Sequence, residues 1–433
     1  MKNRISSNLI KLSDQEIPRE WFNVQTVLPE PLPQAKDPED GKESRIGLQQ
    51  KIRVKALQEQ DKSTDQWIPI PDDVITKYLE IGRPTPLYRA RNLEKYLETP
   101  ARIYIKREDL LPTHSFKLNT SIAQAYFAKQ EGARGLVSET GAGQWGLGLS
   151  YACNLFDLEC IIFWVKISLA QKQYRAKYAE MLGATIYPSP SNKTRSGREV
   201  LNKNPDHYGS LGTGIGDAIS YCIDNPKYNY VSGSNLPHVL LHQTIIGLET
   251  KKQLEIMDEV PDKLIACVGG GSNLGGFMNP FIPMKLESGQ ELHPIGAESD
   301  AAPRLTRGNY RYDHSDPVGF TPLSLSYTLG MDYTPPPVHV GGLRQHSGSA
   351  VIGVLRHSNL LDAYSYSQED AFKAGKVFID CERFIPAPET CHAIKATIDF
   401  ALEAKQKREE KVIVTCFSGN GILDLNGYIE VLN

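Results

Sequence analysis

The sequence lacks any apolar run long enough to cross a membrane, and it lacks an excess of basic residues. Its 433 residues include 48 Lys and Arg against 51 Asp and Glu, which gives a formal net charge of −3. A transmembrane helix needs about 18 or more consecutive apolar residues. Without such a run or a basic field, neither a membrane nor nucleic acid is expected as a partner, and small-molecule ligands are favoured.

Cysteine and histidine are also sparse and scattered. Seven cysteines occur, an odd number, and no CxxC motif joins any two of them. Thiols in such apolar surroundings are typical of a reducing compartment. The opening stretch MKNRISSNLIKLSDQEIP has no apolar core of the length that a signal peptide needs. The sequence therefore predicts a cytoplasmic protein, and the ten dispersed histidines indicate no structural zinc site.

The composition is otherwise that of a globular protein, with 40% apolar and 23% charged residues. Up to about residue 60 the chain is polar and rich in proline, but Trp21 and Phe22 favour an arm packed on a folded body. Patterns of strand, loop and helix then alternate. One series runs from ARIYIKRED to ATIYPS, and a second begins with YNYVSGS near residue 228. This alternation predicts an α/β fold with two parallel sheets, helices on both faces of each, and a cleft between them.

A lysine stands at the boundary between a strand and a helix in the stretch LPTHSFKLNTSIAQAYFAK. Lys117 lies between Phe116 and Leu118 and follows the strand-like run IYIKRED. Most lysines on helices are solvated, so an ordinary surface residue is the first interpretation. The alternative is a covalent attachment site, because partial burial removes the charge of an amine and makes it nucleophilic.

Three strand-like runs end in loops rich in glycine and hydroxyl residues. LIACV leads into GGGSN (269–273), where glycines before a helix suit a phosphate group; a tight turn without ligand is the alternative. This loop is not a Walker loop and matches a dinucleotide fingerprint badly, although Glu298 ends the next strand. In SETGAGQWG, Glu139 is a candidate general acid or base, or else a capping or solvated carboxylate. Ser418 ends the third run, as a ligand partner or a turn residue.

Several motifs, taken in this order, resemble those of the tryptophan synthase β-chain family: GRPTPLYRA, KREDLLPTHSFKLN, SETGAGQWG, GGGSN, YTLGMDYTPPPVH, PAPETCHAIKA and FSGNG. The likeness extends from about Trp21 over nearly the whole chain, and the WFNV…LPEPLP arm is similar to that of the second subgroup of longer β-like chains. The resemblance implies the fold type II architecture of pyridoxal phosphate (PLP) enzymes, with two doubly wound parallel-sheet domains and the cofactor in the cleft between them. It implies an N-terminal arm and entry segment over 1–82, an N-terminal domain over 116–234 with a mobile sub-domain at about 132–219, and a phosphate-binding domain over 83–115 and 235–433.

The resemblance also implies roles for individual residues. Lys117 aligns with the lysine that attaches the cofactor and moves the proton at Cα, and Glu139 with the catalytic carboxylate. Ser418 aligns with the hydroxyl at the pyridine nitrogen. Near the cofactor ring and around its phosphate, the matching positions are Asn119, Glu389, Gly269, Gly270, Gly271, Ser272 and Asn273. The substrate carboxylate is expected on Thr140, Gly141, Ala142, Gly143 and Gln144.

The chain departs from the family pattern in three places. Phe116 stands where the family usually has a histidine before the lysine, and Asn420 replaces the histidine of a Ser-Gly-His-Gly loop. The segment RQHSGSAVIG differs after His346. The first two changes remove imidazoles near the cofactor, and they leave open which nucleophile and which leaving group the protein uses.

The implied activity is that of a PLP-dependent lyase, which condenses L-serine or a related β-substituted amino acid with indole to give L-tryptophan. A hydroxyl at the ring nitrogen makes the cofactor a milder electron sink than an aspartate would, which favours loss of a β-leaving group. The alternatives are β-elimination, β-replacement with another nucleophile or leaving group, and a catalytically silent cofactor-binding relative. Members of the family form homodimers and use a monovalent cation, so both are expected here. Whether a partner of α type binds stays open.

Overall fold

The computed structural model of the chain describes residues 8–287 and 291–432. Residues 1–7 of the predicted arm, and residues 288–290 and 433 of the predicted phosphate-binding domain, lie outside the described residues. In chain order the strands are β1 (Leu9–Ile10), β2 (Glu20–Phe22), β3 (Trp67–Pro69), β4 (Leu87–Arg89), β5 (Arg102–Arg107), β6 (Gly135–Thr140), β7 (Glu159–Val165), β8 (Ala184–Ser189), β9 (Tyr228–Tyr230), β10 (Lys263–Cys267), β11 (His293–Ser299), β12 (Asn309–Asp313), β13 (Ser324–Thr328), β14 (Asp362–Tyr366) and β15 (Val412–Phe417).

The helices between and around these strands follow the alternation that the sequence predicts. In chain order they are α1 (Arg45–Ile52), α2 (Lys55–Lys62), α3 (Asp72–Glu80), α4 (Arg91–Leu97), α5 (Lys117–Gln130), α6 (Gln144–Leu155), α7 (Lys166–Gln171), α8 (Gln173–Met181), α9 (Arg195–Lys203), α10 (Leu211–Asp224), α11 (Pro237–Ile256), α12 (Ser272–Met278), α13 (Ile282–Glu287), α14 (Arg304–Arg307), α15 (Ala350–His357), α16 (Gln368–Glu382), α17 (Pro388–Lys407) and α18 (Leu425–Leu432). Within the two described ranges, no helix is long and apolar enough to cross a membrane.

The larger sheet has the strand order β1-β4-β5-β15-β10-β11-β14. The strands from β5 to β14 in this order are parallel, and β4 and β1 add antiparallel pairs at one edge. Along β10, Leu264 and Ala266 belong to one apolar cluster, whereas Ile265 and Cys267 belong to another on the opposite face. Both faces of the sheet are therefore covered, which explains why its central strands are continuous apolar runs instead of alternating ones.

The smaller sheet has the order β8-β7-β6-β9 and is parallel throughout. It too has apolar residues on both faces, since Leu136 packs in one cluster and Val137 in another. The predicted α/β fold with two doubly wound parallel sheets is confirmed. Two strands do not join the sheet formed by the rest of their series. Strand β5 begins the first series but pairs with β15 in the larger sheet, and β9 begins the second series but pairs with β6 in the smaller sheet.

The N-terminal arm is packed on the body, as Trp21 and Phe22 predict. Strands β2 and β3 pair antiparallel, and the fully buried ring of Trp21 lies 4.5 Å from the ring of His242 on α11, centre to centre. His238 and His242 have the HxxxH spacing of many metal sites, which the sequence interpretation overlooked. Here His238 Nδ1 lies 2.8 Å from a carboxylate oxygen of Asp61, and His242 Nε2 lies 2.8 Å from the side-chain oxygen of Gln60. The pair therefore fastens α2 to α11.

A fully buried network of charged side chains joins the loop between α3 and β4 to β5, the residues just after β5, and α11. The guanidinium of Arg83 donates to Glu108 at 2.8 Å and to Glu249 at 2.9 Å, and the amine of Lys106 donates to Glu249 at 2.7 Å. Arg83 Nη1 also donates to the side-chain oxygen of Asn119 at 2.7 Å. Because Asn119 lies in the first turn of α5, the network fixes the start of this helix against the larger sheet.

Replacing Glu249 with leucine should destabilise the protein by about 3–5 kcal/mol, because the buried amine of Lys106 would lose its ion-pair partner. The measurement is the shift of the unfolding midpoint in urea at neutral pH. As a control, Glu80→Leu removes a half-exposed ion pair with Lys77 and should change stability by no more than about 0.5 kcal/mol. Equal effects of the two substitutions would show that the buried network contributes no more than a surface pair.

Candidate active site

The carboxyl ends of β6, β10 and β15 open into a cleft. Its empty volume is about 660 Å³, a value that includes the space open to solvent. Ligands of α/β sheets bind at such strand ends. The lining brings together most of the residues predicted from the sequence: Lys117, Glu139, Thr140, Gly141, Ala142, Gln144, Gly269, Gly270, Gly271, Ser272, Asn273, Glu389 and Ser418. Asn119 and Gly143 are not part of this lining.

The ε-amine of Lys117 is enclosed in the cleft and does not extend into solvent. Lys117 is the first residue of α5, and its Nζ donates to Ser272 Oγ at 2.8 Å and to the carbonyl oxygen of Gly233. The amine also lies 4.8 Å from the centre of the Phe116 ring. Burial lowers the pKa of Lys117 to about 7, although Glu139 and Glu389 act in the opposite direction. A large share of the amine is therefore neutral near pH 7 and able to attack a carbonyl carbon.

Glu139 is a buried carboxyl group at the end of β6. Burial raises the pKa of Glu139 to about 7, and the hydroxyl of Tyr230, which donates to Oε2 at 3.0 Å, offsets only part of this effect. A carboxyl group with a pKa near 7 can give and take protons at neutral pH. The cleft thus contains an amine and an acid whose pKa values both lie close to neutrality.

Residues 140–144 turn the chain from β6 into α6. Gly143 has φ of +88°, and a Cβ on it would lie 1.8 Å from Cζ2 of Trp164, so only glycine fits there. Gly143 therefore shapes the turn from behind the lining. Within the part of the chain that the structure describes, the backbone N–H groups of Gly141, Ala142 and Gly143 have no acceptor. Such a row of free donors suits a carboxylate.

The side chain of Gln144 joins this loop to two other parts of the cleft. Its carbonyl oxygen accepts from Ser115 Oγ at 3.1 Å, and its Nε2 donates to Glu389 Oε2 at 3.2 Å. The other carboxylate oxygen of Glu389 accepts from the N–H of Gly342 at 2.9 Å. Glu389 is therefore occupied on both oxygens, and burial raises its pKa.

The glycine loop after β10 presents a second row of free donors. No acceptor among the described residues is found for the N–H groups of residues 269–273. All three glycines are required by close packing: a Cβ on Gly269 would lie 2.2 Å from the Gly342 oxygen, one on Gly270 2.6 Å from Ser234, and one on Gly271 2.8 Å from Ile352. The side chain of Asn273 donates to the carbonyl oxygen of Cys267 at 3.2 Å, so only its backbone is available to a ligand.

Ser418 follows β15, and neutral groups surround it. Its hydroxyl lies 2.8 Å from Thr390 Oγ1 and 3.4 Å from Cys267 Sγ, and burial raises the pKa of Cys267 to about 11. Its carbonyl oxygen accepts from the N–H of Phe116 at 3.0 Å, which ties the lysine segment to this strand end. The hydroxyl therefore faces the cleft without a carboxylate among its hydrogen-bond partners.

Two of the residues singled out in the sequence have other tasks. Both polar ends of the Asn119 amide are hydrogen-bonded outside the cleft lining, to Arg83, Glu108 and Gln243, and its position near the cofactor ring stays a prediction. The carboxylate of Glu298 accepts from the N–H groups of residues 305 and 306 at 2.9 Å. It caps a helix and does not reach the cleft, so a role in ribose binding finds no support.

Two of the three departures from the family pattern, Phe116 and Asn420, have local explanations. The Phe116 ring is buried and lies below the amine of Lys117. The side-chain oxygen of Asn420 accepts from the N–H of Ile422 at 2.9 Å and so closes the turn after β15. The asparagine side chain is therefore used in local structure, where a family member has an imidazole.

Sequence reasoning missed two groups of residues around the cleft. Gly233, Ser234 and Gln345 line it, and only the glycine-serine run after β9 offered a signal for the first two. An ion cluster also joins the two sheets: Asp424 accepts from Lys172 at 2.5 Å and from Arg175 at 2.7 Å, with all three side chains at most 2% exposed. Arg175 donates as well to the carbonyl oxygen of Ala142 at 2.6 Å. No periodicity in the sequence marks such a long-range charge cluster.

The geometry fits pyridoxal phosphate. The neutral amine of Lys117 suits an aldehyde, the free N–H groups of residues 269–273 suit a phosphate, and the hydroxyl of Ser418 suits a ring nitrogen that stays unprotonated. These three features line one cleft, as the parts of a single ligand require.

Comparison with known proteins agrees with this geometry. Residues 78–419 match the family model described as "Pyridoxal-phosphate dependent enzyme". The chain is 49% identical to "Tryptophan synthase beta chain 2" of Methanothermobacter thermautotrophicus, over 98% of this chain and 99% of that protein. It is 47% identical to the protein of the same name from Thermotoga maritima, over 97% of this chain and 99% of that protein.

Solved structures with low sequence identity share the fold. The processed form of threonine deaminase isoform 2 from Solanum lycopersicum superposes with a TM-score of 0.60 at 18% identity, covering 93% of this chain and 99% of that one. A fungal L-serine ammonia-lyase from Rhizomucor miehei gives a TM-score of 0.59 at 18% identity, covering 80% of this chain and 97% of that one. These similarities confirm the fold type II architecture.

Lys117 of the cofactor-free protein should react with a small aldehyde and cyanoborohydride at a rate that is half-maximal near pH 7, because only the neutral amine attacks and burial lowers the pKa of Lys117 to about 7. Labelling is quantified by mass spectrometry of the Lys117 peptide. The reference is the same peptide from denatured protein, where lysine amines titrate near about 10.4. Equal half-maximal pH values for the folded and the denatured chain would show that the amine is solvated.

Proposed function

Because this chain belongs to the tryptophan synthase β-chain family of pyridoxal-phosphate dependent enzymes, we propose that it is a lyase that condenses L-serine with indole to give L-tryptophan. The observation that carries the proposal is the pair formed by Lys117 and Glu139, each with a pKa of about 7 in one cleft. Near-full-length identity of 45–49% to proteins named tryptophan synthase beta chain supports the choice of substrates.

Each part of the cleft has a task in this reaction. Pyridoxal phosphate held in the cleft would supply the electron sink that makes the Cα proton and the β-hydroxyl of serine labile, with the amine of Lys117 free for proton transfer. The free N–H groups of residues 141–143 bind the serine carboxylate and fix the orientation of Cα and Cβ. The free N–H groups of residues 269–273 hold the phosphate, and Ser418 faces the ring nitrogen without charging it.

Proton transfer falls to the two groups whose pKa values lie near neutrality. The neutral amine of Lys117 takes the proton from Cα and later returns it to the product. Protonated Glu139 gives its proton to the departing serine hydroxyl, and the carboxylate that results accepts a hydrogen bond from the N–H of indole. Both steps need a group that is neither fully charged nor fully neutral at pH 7, which burial provides in both cases.

The expectations of a homodimer, a monovalent cation, a cytoplasmic location and a mobile sub-domain at about 132–219 are part of the proposal. The location is supported by seven cysteines that are all buried and free. The division of the chain at about residues 116 and 234 is supported by the pairing of β9 with β6, which puts all four strands of that range into one sheet.

Glu139→Gln should keep the visible absorption of the bound cofactor but lower tryptophan formation by about 10²–10⁴-fold, because the amide cannot donate the proton that the leaving hydroxyl needs. Turnover is measured with L-serine and indole, by product formation. Lys117→Ala is the matched control, and it should lose the band that borohydride bleaches in the unmodified protein. A Glu139→Gln enzyme with normal turnover would contradict the role of this carboxyl group.

The same assay separates the proposed reaction from β-elimination. With L-serine and indole together, the proposal requires indole to be consumed at the rate at which tryptophan appears. Accumulation of pyruvate with indole unchanged would assign the protein to elimination instead. Absence of a borohydride-sensitive band would favour a protein without PLP chemistry.

A further inference from the structure

Two carbonyl groups of the glycine loop are held by residues that do not line the cleft. The carbonyl oxygen of Gly269 accepts from Arg304 Nε at 3.0 Å and from Nη2 of the same guanidinium. The carbonyl oxygen of Gly270 accepts from the N–H of Ser349 at 2.8 Å. In a trans peptide the C=O and the following N–H point in opposite directions. Holding these two oxygens on the far side therefore turns the N–H groups of Gly270 and Gly271 toward the cleft.

Arg304 has no carboxylate partner for its charge. It is 1% exposed, and no ion pair involving it occurs among the described residues. The charge of Glu298 acts on Arg304, but its carboxylate is engaged with the N–H groups of residues 305 and 306. Nη1 of Arg304 has no hydrogen-bond partner at all within the described residues. Burial lowers the pKa of Arg304 to about 10, which leaves it positively charged at neutral pH behind the loop.

Gln345 is a second buried polar side chain without partners, and it lines the cleft. The residue is 3% exposed, and neither Nε2 nor Oε1 is hydrogen-bonded to any described residue. Its amide packs against the loop, since a Cβ on Gly270 would lie 2.7 Å from Oε1. Leaving a buried polar group unpaired is unfavourable, so such groups are rare unless a ligand satisfies them.

We propose that Gln345 completes the phosphate site from within the cleft, together with the free N–H groups of the glycine loop, and that Arg304 supports this loop from behind. Gln345 is a binding residue whose side-chain amide donates to a phosphate oxygen. Arg304 is a positioning residue: it keeps the Gly270 N–H turned toward the phosphate and supplies a positive charge near a dianion. The inference rests on the proposed function, because the phosphate monoester is that of the cofactor. It also gives a task to the segment RQHSGSAVIG.

The test compares pyridoxal phosphate with pyridoxal, which carries the same aldehyde and ring but no phosphate. The full-length chain is freed of cofactor with hydroxylamine, and each compound is titrated back and followed by its visible absorption. Gln345→Leu should weaken binding of pyridoxal phosphate by about tenfold or more, as expected for a lost hydrogen bond to a charged group, and leave pyridoxal binding unchanged within about twofold. Arg304→Met should show the same selectivity.

Arg307→Met is the matched control for Arg304, because Arg307 is an exposed arginine on the same short helix. It should bind both compounds like the unmodified chain. Equal loss of pyridoxal phosphate and pyridoxal in the Gln345→Leu protein, or loss of neither, would overturn the proposal. The titration of the unmodified chain comes first and tests the proposed function itself. That function would be contradicted if the unmodified chain bound pyridoxal phosphate no better than pyridoxal, or did not bind it at all.

Thermal unfolding without cofactor gives a second, independent readout. Because the amide of Gln345 is unpaired in the cofactor-free cleft, leucine at this position should leave the melting temperature unchanged or raise it. The increase in melting temperature on adding pyridoxal phosphate should be smaller than in the unmodified chain. A Gln345→Leu protein that is less stable without cofactor, but gains as much from it, would assign the side chain to structure. If Arg304→Met does not fold, these melting temperatures of the Gln345→Leu protein still test whether Gln345 binds the phosphate.

Discussion

Removal of water from the amine of Lys117 is the constraint on which the rest of the cleft depends. An ammonium group would bind strongly to water, so the surroundings must exclude solvent while satisfying the hydrogens of a neutral amine. The Gly233 carbonyl and the Ser272 hydroxyl satisfy them, and the Phe116 ring takes the place of water on another side. The departure from the family histidine is thus compatible with the same amine chemistry.

The position of this amine is set by structure far from it. The first turn of α5 is held through Asn119 to Arg83, which is itself paired with Glu108 and Glu249. A second fixed point lies just after β15, where the N–H of Phe116 donates a hydrogen bond to the carbonyl oxygen of Ser418. Two rigid attachments on either side of Lys117 leave its side chain little choice of direction. This arrangement explains why a buried ion network, weak evidence for stability by itself, is useful here.

Much of the fold and part of the site could be predicted from the sequence. Strands such as β10 and β15 are continuous apolar runs that end in glycine, so both their existence and their carboxyl ends were evident, together with Gly269 and Ser418. The sheet to which β5 and β9 belong could not be derived from chain order, because pairing is decided by crossover connections. The hydrogen bonds of Asn119 could not be predicted from the sequence, because its partners lie up to 124 residues away. Gln345 has no periodic signal, and only its lack of partners in three dimensions reveals it.

The cluster of Lys172, Arg175 and Asp424 connects the smaller sheet's helices to the segment after β15. Opening the cleft would separate the charges of Lys172, Arg175 and Asp424, which are almost fully buried. Water would then have to hydrate each of them. Intermediate degrees of opening would be the least favourable, because they break the contacts before the charges are hydrated. We therefore expect the cleft to exchange between one closed and one open state, without stable intermediates. Dissolved salt screens the separated charges and should raise the population of the open state.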